Sequence, residues 1–321
     1  MGGSAVAGRD LISAADLSAA EVVHVFERAA ALKAEFIATG RHADPPLAGR
    51  TLAMLFQHPS LRTRVTFEAG MTQLGGHAIH LAAGDVGLGT RETVSDVARN
   101  LERFVDGIMV RIGAHEVVVE LATQAAVPVI NALTLREHPC QALADLFTLR
   151  ERFGDLRGRV LAFVGDGNNV YHSLALAGAA QGMEIRLAHP AGYAPHPRIV
   201  ERAAQLAEAS GGRLGFGHDP AAAVRGADVI YTDSWTSMGQ ESEAEERREA
   251  FARFQVNAEL VAIGGPQIAV MHCLPAHRGE EITSDVMDGP QSIVFEQSEN
   301  RLHLQKAILA EFIGGGRTAT R

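Results

Sequence analysis

The chain has 321 residues, of which 46% are apolar and 21% charged, and a formal charge of −9. That length suits two domains, each with its own core, and the acidic balance argues against a general nucleic-acid binder. No apolar run reaches the roughly 18 residues of a membrane span, and residues 1–10 lack the basic start and apolar stretch of a signal peptide. Cys140 and Cys273 belong to no paired framework, so a reducing cytoplasm is the expected setting. Lys33 and Lys306 are the only lysines, which leaves cationic chemistry to arginine.

Ser18 reads as the cap of an amphipathic helix running to residue 33 or 40, followed by a polar loop over 41–49. An apolar run over 51–56 reads as a buried strand. It enters His58-Pro-Ser60-Leu61-Arg62-Thr63-Arg64, with a helix expected over 65–74 and stopped by Gly75-Gly76. Strand, hydroxyl- and arginine-rich turn, then helix start brings backbone N–H groups, hydroxyls and guanidiniums to one spot, which suits a phosphate dianion. A capped helix with solvated arginines is an equal reading of that stretch alone.

A strand over 77–81 and a Gly-rich surface loop over 82–90 follow. Then come a helix over 91–104, a strand over 106–111 ending in Arg111, a helix over 116–125 and a strand over 127–131. The helix over 138–153 has Pro139 in its first turn and places His138, Gln141 and Asp145 on one side. The second half repeats the rhythm. Strands are expected over 160–164, 185–188, 214–217, 229–232 and 269–272. Helices are expected from Asn169 to about 181 and over 197–210, 219–225, 244–253 and 302–313. The pattern is α/β, two doubly wound domains with mostly parallel sheets linked by interdomain helices.

Polar residues gather at strand ends, where open α/β sheets hold ligands. They are the 60–64 turn, Arg111, His138 and Gln141 in the first half. In the second they are Asn168-Asn169, the 233–239 segment and His272-Cys273-Leu274-Pro275, with Arg301 before the last helix. Taken singly, Arg111 reads equally well as an ion-pair residue, His138 better as a helix cap, and Cys273 better as an inert buried thiol. A zinc site or thiol nucleophile at Cys273 with His272 or His277 is disfavoured, because no CxxC partner exists.

Together the motifs Ser60-x-Arg62-Thr63-Arg64, His138-Pro-Cys-Gln141, Gly165-Asp-Gly-Asn-Asn169, Asp233-x-x-x-Ser237-Met238-Gly239, His272-Cys-Leu-Pro-Ala-His-Arg-Gly279 and Glu299-Asn-Arg301 resemble the aspartate/ornithine carbamoyltransferase family. They are most similar to its ornithine branch and span almost the whole chain. The resemblance implies transfer of a carbamoyl group from carbamoyl phosphate to the side-chain amine of L-ornithine, giving citrulline and phosphate, without cofactor or metal. It implies carbamoyl phosphate on Ser60, Leu61, Arg62, Thr63, Arg111, His138, Gln141, Cys273, Leu274 and Arg301. Of these, Arg62, Arg111, His138, Cys273 and Arg301 are catalytic. It implies ornithine on Asn169, Asp233, Ser237 and Met238, with the Ser-Met-Gly loop closing over it, a site in the interdomain cleft, and a homotrimer or a multiple of one.

The implied domains are a carbamoyl-phosphate-binding domain over 1–135 completed by the helix 302–313, an interdomain helix over 136–153, and an ornithine-binding domain over 154–295. Two positions depart from the family pattern. Leu61 stands where relatives often have Thr, a form also seen in members acting on N-acylated ornithine. Gly87 and Arg91 stand where some relatives place a Gln and a Lys that reach a neighbouring subunit, making Arg91 the candidate for that role.

Two rival classes are weaker. A nicotinamide dehydrogenase would want a third glycine after Gly165-x-Gly167 and an acidic end to the second strand, where this chain has Ala188-His189-Pro190. A non-catalytic binding protein of the same fold would be expected to have lost at least one of the site residues.

Overall fold

The computed structural model describes residues 6–237 and 239–314. The chain divides into two compact units, residues 1–147 with 300–321, and residues 148–299.

In unit 1, Ser18 and Glu21 form a reciprocal capping box at the start of α1 (Ala19–Thr39), and Gly40 ends it in a left-handed conformation. Then follow β1 (Thr51–Phe56), α2 (Leu61–Gln73), β2 (His77–Ala82), α3 (Ala83–Val86), α4 (Val94–Phe104), β3 (Gly107–Arg111), α5 (His115–Gln124) and β4 (Val129–Leu133). The strands form one parallel sheet in the order β2-β1-β3-β4. β1 and β3 are central and apolar apart from Thr51 at the start of β1 and Arg111 at the end of β3, as suits strands covered on both faces. The edge strand β2 is different: none of its residues is buried.

α6 (Pro139–Phe153) begins in unit 1 and ends in unit 2. Unit 2 continues with β5 (Val160–Val164), α7 (Asn169–Ala180), β6 (Glu184–Ala188), α8 (Pro197–Ser210), β7 (Arg213–Gly217), α9 (Pro220–Val224) and β8 (Val229–Thr232). After these come α10 (Ala244–Phe251), α11 (Ala258–Gly264), β9 (Ala269–His272), α12 (Ser284–Met287) and α13 (Val294–Ile313), which returns the chain to unit 1. The sheet is parallel in the order β7-β6-β5-β8-β9. One apolar cluster in this unit includes Val164, Ile230, Trp235, Phe251, Phe254 and Val270.

Several boundaries differ from the sequence expectation. α2 starts at Leu61 and not at 65, because Ser60 already takes the extended N-cap conformation and Leu, Arg and Thr continue as helix. The expected loop over 82–90 contains the turn α3, where Asp85 accepts the N–H of Ala82 at 2.7 Å. α4 starts at Val94, after the capping hydroxyl of Thr93. β4 lies two residues later than expected, and α13 starts at Val294, eight residues before the expected 302. α11, capped by Asn257, was not anticipated.

Candidate functional site

In unit 1 the strand order reverses between β1 and β3, the position at which doubly wound sheets bind ligands. Phe56 and Arg111 pair at the carboxyl ends of these strands. The chain leaving β1 turns directly into α2, whose first-turn amides at 61–63 have no intrahelical acceptor by helix geometry. Ser60 occupies the N-cap without using its hydroxyl as a cap. Leu61 is 76% exposed, whereas Thr63 is buried and its hydroxyl accepts from Arg111 Nη1 at 3.5 Å. Arg64 stands apart from this group: its Nε donates to Glu68 at 2.9 Å on the exposed side of the helix.

His138 is buried just before α6. Burial, followed by the charges of Arg301, Arg111 and Arg62, holds it well below the usual histidine range. In unit 1 the charges of three guanidiniums thus act on an imidazole that is held toward its neutral form, a setting that favours an anion with a group accepting an imidazole N–H. Gln141 lies one turn along α6, accepts from Arg301 Nη1, and donates to Asp145 at 2.8 Å. That bond agrees with the shared face expected for Gln141 and Asp145.

Gln305 is a participant the sequence reading missed. With its amide oriented to suit its neighbours, it accepts from Arg301 Nε (3.2 Å) and Nη2 (2.8 Å) and donates to Thr66 Oγ1. The only advance signal was its i+4 spacing from Arg301 on one helix. Cys140 is also buried here, and burial pushes its thiol up to about 12.

In unit 2 the order reverses between β5 and β8. Gly167, in the turn after β5, has to be glycine, since a Cβ there would lie 2.4 Å from the Pro195 nitrogen. Asn168 caps α7, its Oδ1 accepting from the N–H groups of Val170 (3.0 Å) and Tyr171 (3.1 Å). Its Nδ2 donates to Asp233 Oδ2 at 2.8 Å. Asn168 thus supports the site, while Asn169, expected to bind ligand, opens the helix.

Asp233, just past β8, accepts from Ser234 N (2.8 Å) and Cys273 Sγ (2.9 Å). No Lys or Arg among the described residues pairs with it. Ser237 donates its N–H to Gln240 Oε1 at 3.0 Å. Met238 lies outside the described residues.

Beyond β9, Leu274 donates its N–H to His272 Nδ1 (2.8 Å), and His272 Nε2 faces the buried Glu281 (3.0 Å). Leu274 is the one described non-glycine residue with positive φ, at 62°. Asp233, His272 and Cys273 bring metal-ligand atom types within 4.8 Å of one another. Both nitrogens of His272 are engaged within the fold, and Cys273 is engaged with Asp233, so this grouping already acts as a hydrogen-bonded support.

Each unit thus brings together part of the expected residue set. Unit 1 holds the 60–63 turn, Arg111, His138, Gln141 and Arg301; unit 2 holds Asn169, Asp233, Ser237, Cys273 and Leu274.

Residues 9–151 match the family described as aspartate/ornithine carbamoyltransferase, carbamoyl-P binding domain, and residues 157–312 its Asp/Orn binding domain. The chain is 54% identical over 302 residues to the ornithine carbamoyltransferase of Symbiobacterium thermophilum, covering 94% of this chain and 97% of that one. The solved ornithine carbamoyltransferase of Pyrococcus furiosus superposes with a TM-score of 0.93 at 52% identity, over 97% of this chain and 99% of that one. That of Thermus thermophilus gives 0.85 at 46% identity, over 95% and 98%. Two parallel-sheet units with ligand-type residues at both switch points, matched along nearly their whole length, make this chain a member of the aspartate/ornithine carbamoyltransferase family.

Proposed function

We infer that the protein transfers the carbamoyl group of carbamoyl phosphate to the δ-amine of L-ornithine, giving L-citrulline and phosphate. The observation that carries the chemistry is Arg111 bonded to Thr63 in the 60–63 turn and Arg301 bonded to Gln141, beside a buried His138 that burial and the charges of Arg301, Arg111 and Arg62 hold well below the usual histidine range. The phosphate dianion is taken by the α2 amides of 61–63, Ser60, Thr63, Arg62 and Arg111. His138 and Arg301, steadied by Gln141, donate to the carbamoyl oxygen, with Cys273 and Leu274 at the amide end. Donors aimed at that oxygen stabilise the tetrahedral intermediate.

The amine lone pair forms the new C–N bond. The C–O bond to phosphate then breaks, its electron pair leaves with phosphate, and one proton is lost from nitrogen. Protonated amine has no lone pair, so the rate rises with pH until the amine is free. Ornithine is held by Asn169 and Met238 at its carboxylate and by Asp233 and Ser237 at its α-ammonium. Asp233, with no arginine or lysine among the described residues pairing it, supports a cationic ligand group. An N-acylated ornithine would leave that carboxylate buried against an amide.

The domain assignment follows: residues 1–135 with the helix 302–313 for carbamoyl phosphate, 154–295 for ornithine, and 136–153 joining them. A homotrimer, or a multiple of one, is supported by β2, an edge strand with no buried residue, and by the exposed Leu61, Val65 and Ile79 of the same unit. Arg91 is the candidate for reaching a neighbouring subunit's phosphate. Cys140 and Cys273, neither of them in a disulfide, support a cytoplasmic setting, and among the described residues no helix is long and apolar enough to cross a membrane.

The test is citrulline formation from carbamoyl phosphate with ornithine, N-acetylornithine, putrescine and aspartate side by side. Ornithine should be the preferred acceptor; preference for the acetylated amine would move the activity to the acylated branch.

A further inference from the structure

One buried guanidinium lies outside both residue sets. Arg247 of α10 is 5% exposed. Its Nη1 donates to Asp166 Oδ2 (2.8 Å) and to the Trp235 carbonyl (2.9 Å), and its Nε to Glu243 Oε2 (3.0 Å). The guanidinium lies 4.9 Å from the Tyr193 ring centre and 6.0 Å from that of Phe251. A planar, forked cation fits acceptors in several directions together with an aromatic face; an ammonium does not.

Two of the partners of Arg247, Asp166 and Trp235, belong to the two loops that carry the ornithine residues. Asp166 sits in the turn that sets Asn168 and Asn169 at the start of α7. Trp235 lies midway between Asp233 and Ser237. Asn168 already joins the two loops through Asp233, so Arg247 adds a second tie.

Charge makes the tie selective. Burial raises the Asp166 carboxyl above the usual range, the Arg247 bond and charge lower it, and Asp233 raises it again, so the two carboxylates sense each other. Without a cation on Asp166, two carboxylates would share the neighbourhood of one ligand ammonium.

Building on the ornithine reading above, we propose that Arg247 is a positioning residue for amino-acid recognition. It holds the 233–237 segment against the 165–169 turn and occupies Asp166, so that the ligand's ammonium meets Asp233 alone. A buried arginine serving only to hold α10 in place would affect both substrates and the melting temperature together. A positioning role is substrate-specific.

The experiment compares wild type, Arg247→Lys, Asp166→Asn and the control Arg248→Gln, whose exposed side chain pairs with Glu280. Citrulline production, calorimetric ornithine titration and thermal melting are measured on each. Arg247→Lys should raise the ornithine KM at least tenfold while the carbamoyl phosphate KM stays within twofold and the melting temperature stays near wild type. Asp166→Asn should raise the ornithine KM severalfold, because the charge-assisted tie from Arg247 to the 165–169 turn is then weakened. Arg248→Gln should match wild type.

Equal rises in both KM values, or an unchanged ornithine KM in folded variants, overturn the proposal. Should Arg247→Lys fail to fold, Asp166→Asn decides by the same split. A wild type that binds ornithine without forming citrulline overturns carbamoyl transfer, and the titrations then judge Arg247 alone. One that does not bind ornithine overturns both.

Discussion

Arg62 and Asp233 carry opposite charges toward opposite ends of the proposed reaction, so each should affect one substrate. Arg62→Lys keeps the charge and loses the planar fork. A charge-assisted bond of about 1.5–3 kcal/mol is at stake, so the carbamoyl phosphate KM should rise roughly 10- to 100-fold with little change for ornithine. Asp233→Ala should do the reverse. Steady-state kinetics with each substrate varied in turn checks both, and an equal loss for both substrates would count against the roles. At this scale the sequence pointed to the ligand-type residues at the strand ends and was poor on their supports. Arg64 sits in the same motif as Arg62, yet its i+4 spacing from Glu68 on a helix makes it half of a surface pair. Asn168 and Gln305 were not assigned support roles because a support is defined by contact across the fold, for which one sequence has no signal.

Among the elements, α13 shows how a helix fixes a buried guanidinium. Arg301 is fixed on one side by Gln141 of α6 and on the other by Gln305, one turn further along its own helix. Gln305→Ala leaves the Nε edge of Arg301 without that acceptor. At about 1.5–3 kcal/mol for a bond to a charged group, the carbamoyl phosphate KM should rise about tenfold or more, with the ornithine KM held. If Gln305→Ala leaves carbamoyl phosphate kinetics untouched, Arg301 is oriented by other means. Strand positions were legible because parallel strands covered on both faces are plain apolar runs, such as 51–56 and 160–164. Helix starts were less so: α2 and α13 begin before their apolar periodicity does, because polar first turns are held by backbone and cap geometry.

At the scale of the molecule, acid should act first on unit 1. Burial, then Lys306, Lys33 and His42, lower His303 to about 3, and His138 is lowered in the same direction. A histidine depressed in the folded state confers stability above its ordinary value near 6.5, and that stability is lost as pH falls from there toward about 3. Each such group contributes a slope of about 1.4 kcal/mol per pH unit. Melting temperature should therefore fall steadily below pH 6.5, and His303→Gln should flatten the fall; an unchanged slope would contradict the assignment. The open edge at β2 makes a separate prediction. Ile79→Lys places a charge on that strand and should shift the proposed homotrimer toward monomer in light scattering after gel filtration. The two-part α/β organisation was readable from the alternation of runs. That the helix over 136–153 joins the two was expected too, but the point of division within α6 and α13 was not readable, because a continuous helix gives no sign of where its neighbours change.

The two thiols have different prospects as chemical handles. Cys140 is sealed and holds its proton up to about 12, whereas Cys273 is partly open and hydrogen-bonded to Asp233. An alkylating dye applied to the native protein should therefore label one position, and mass spectrometry of the peptide containing residue 273 will verify it. Because that position adjoins the proposed amine-binding residue, ornithine should slow the labelling, which gives an occupancy gauge that needs no turnover.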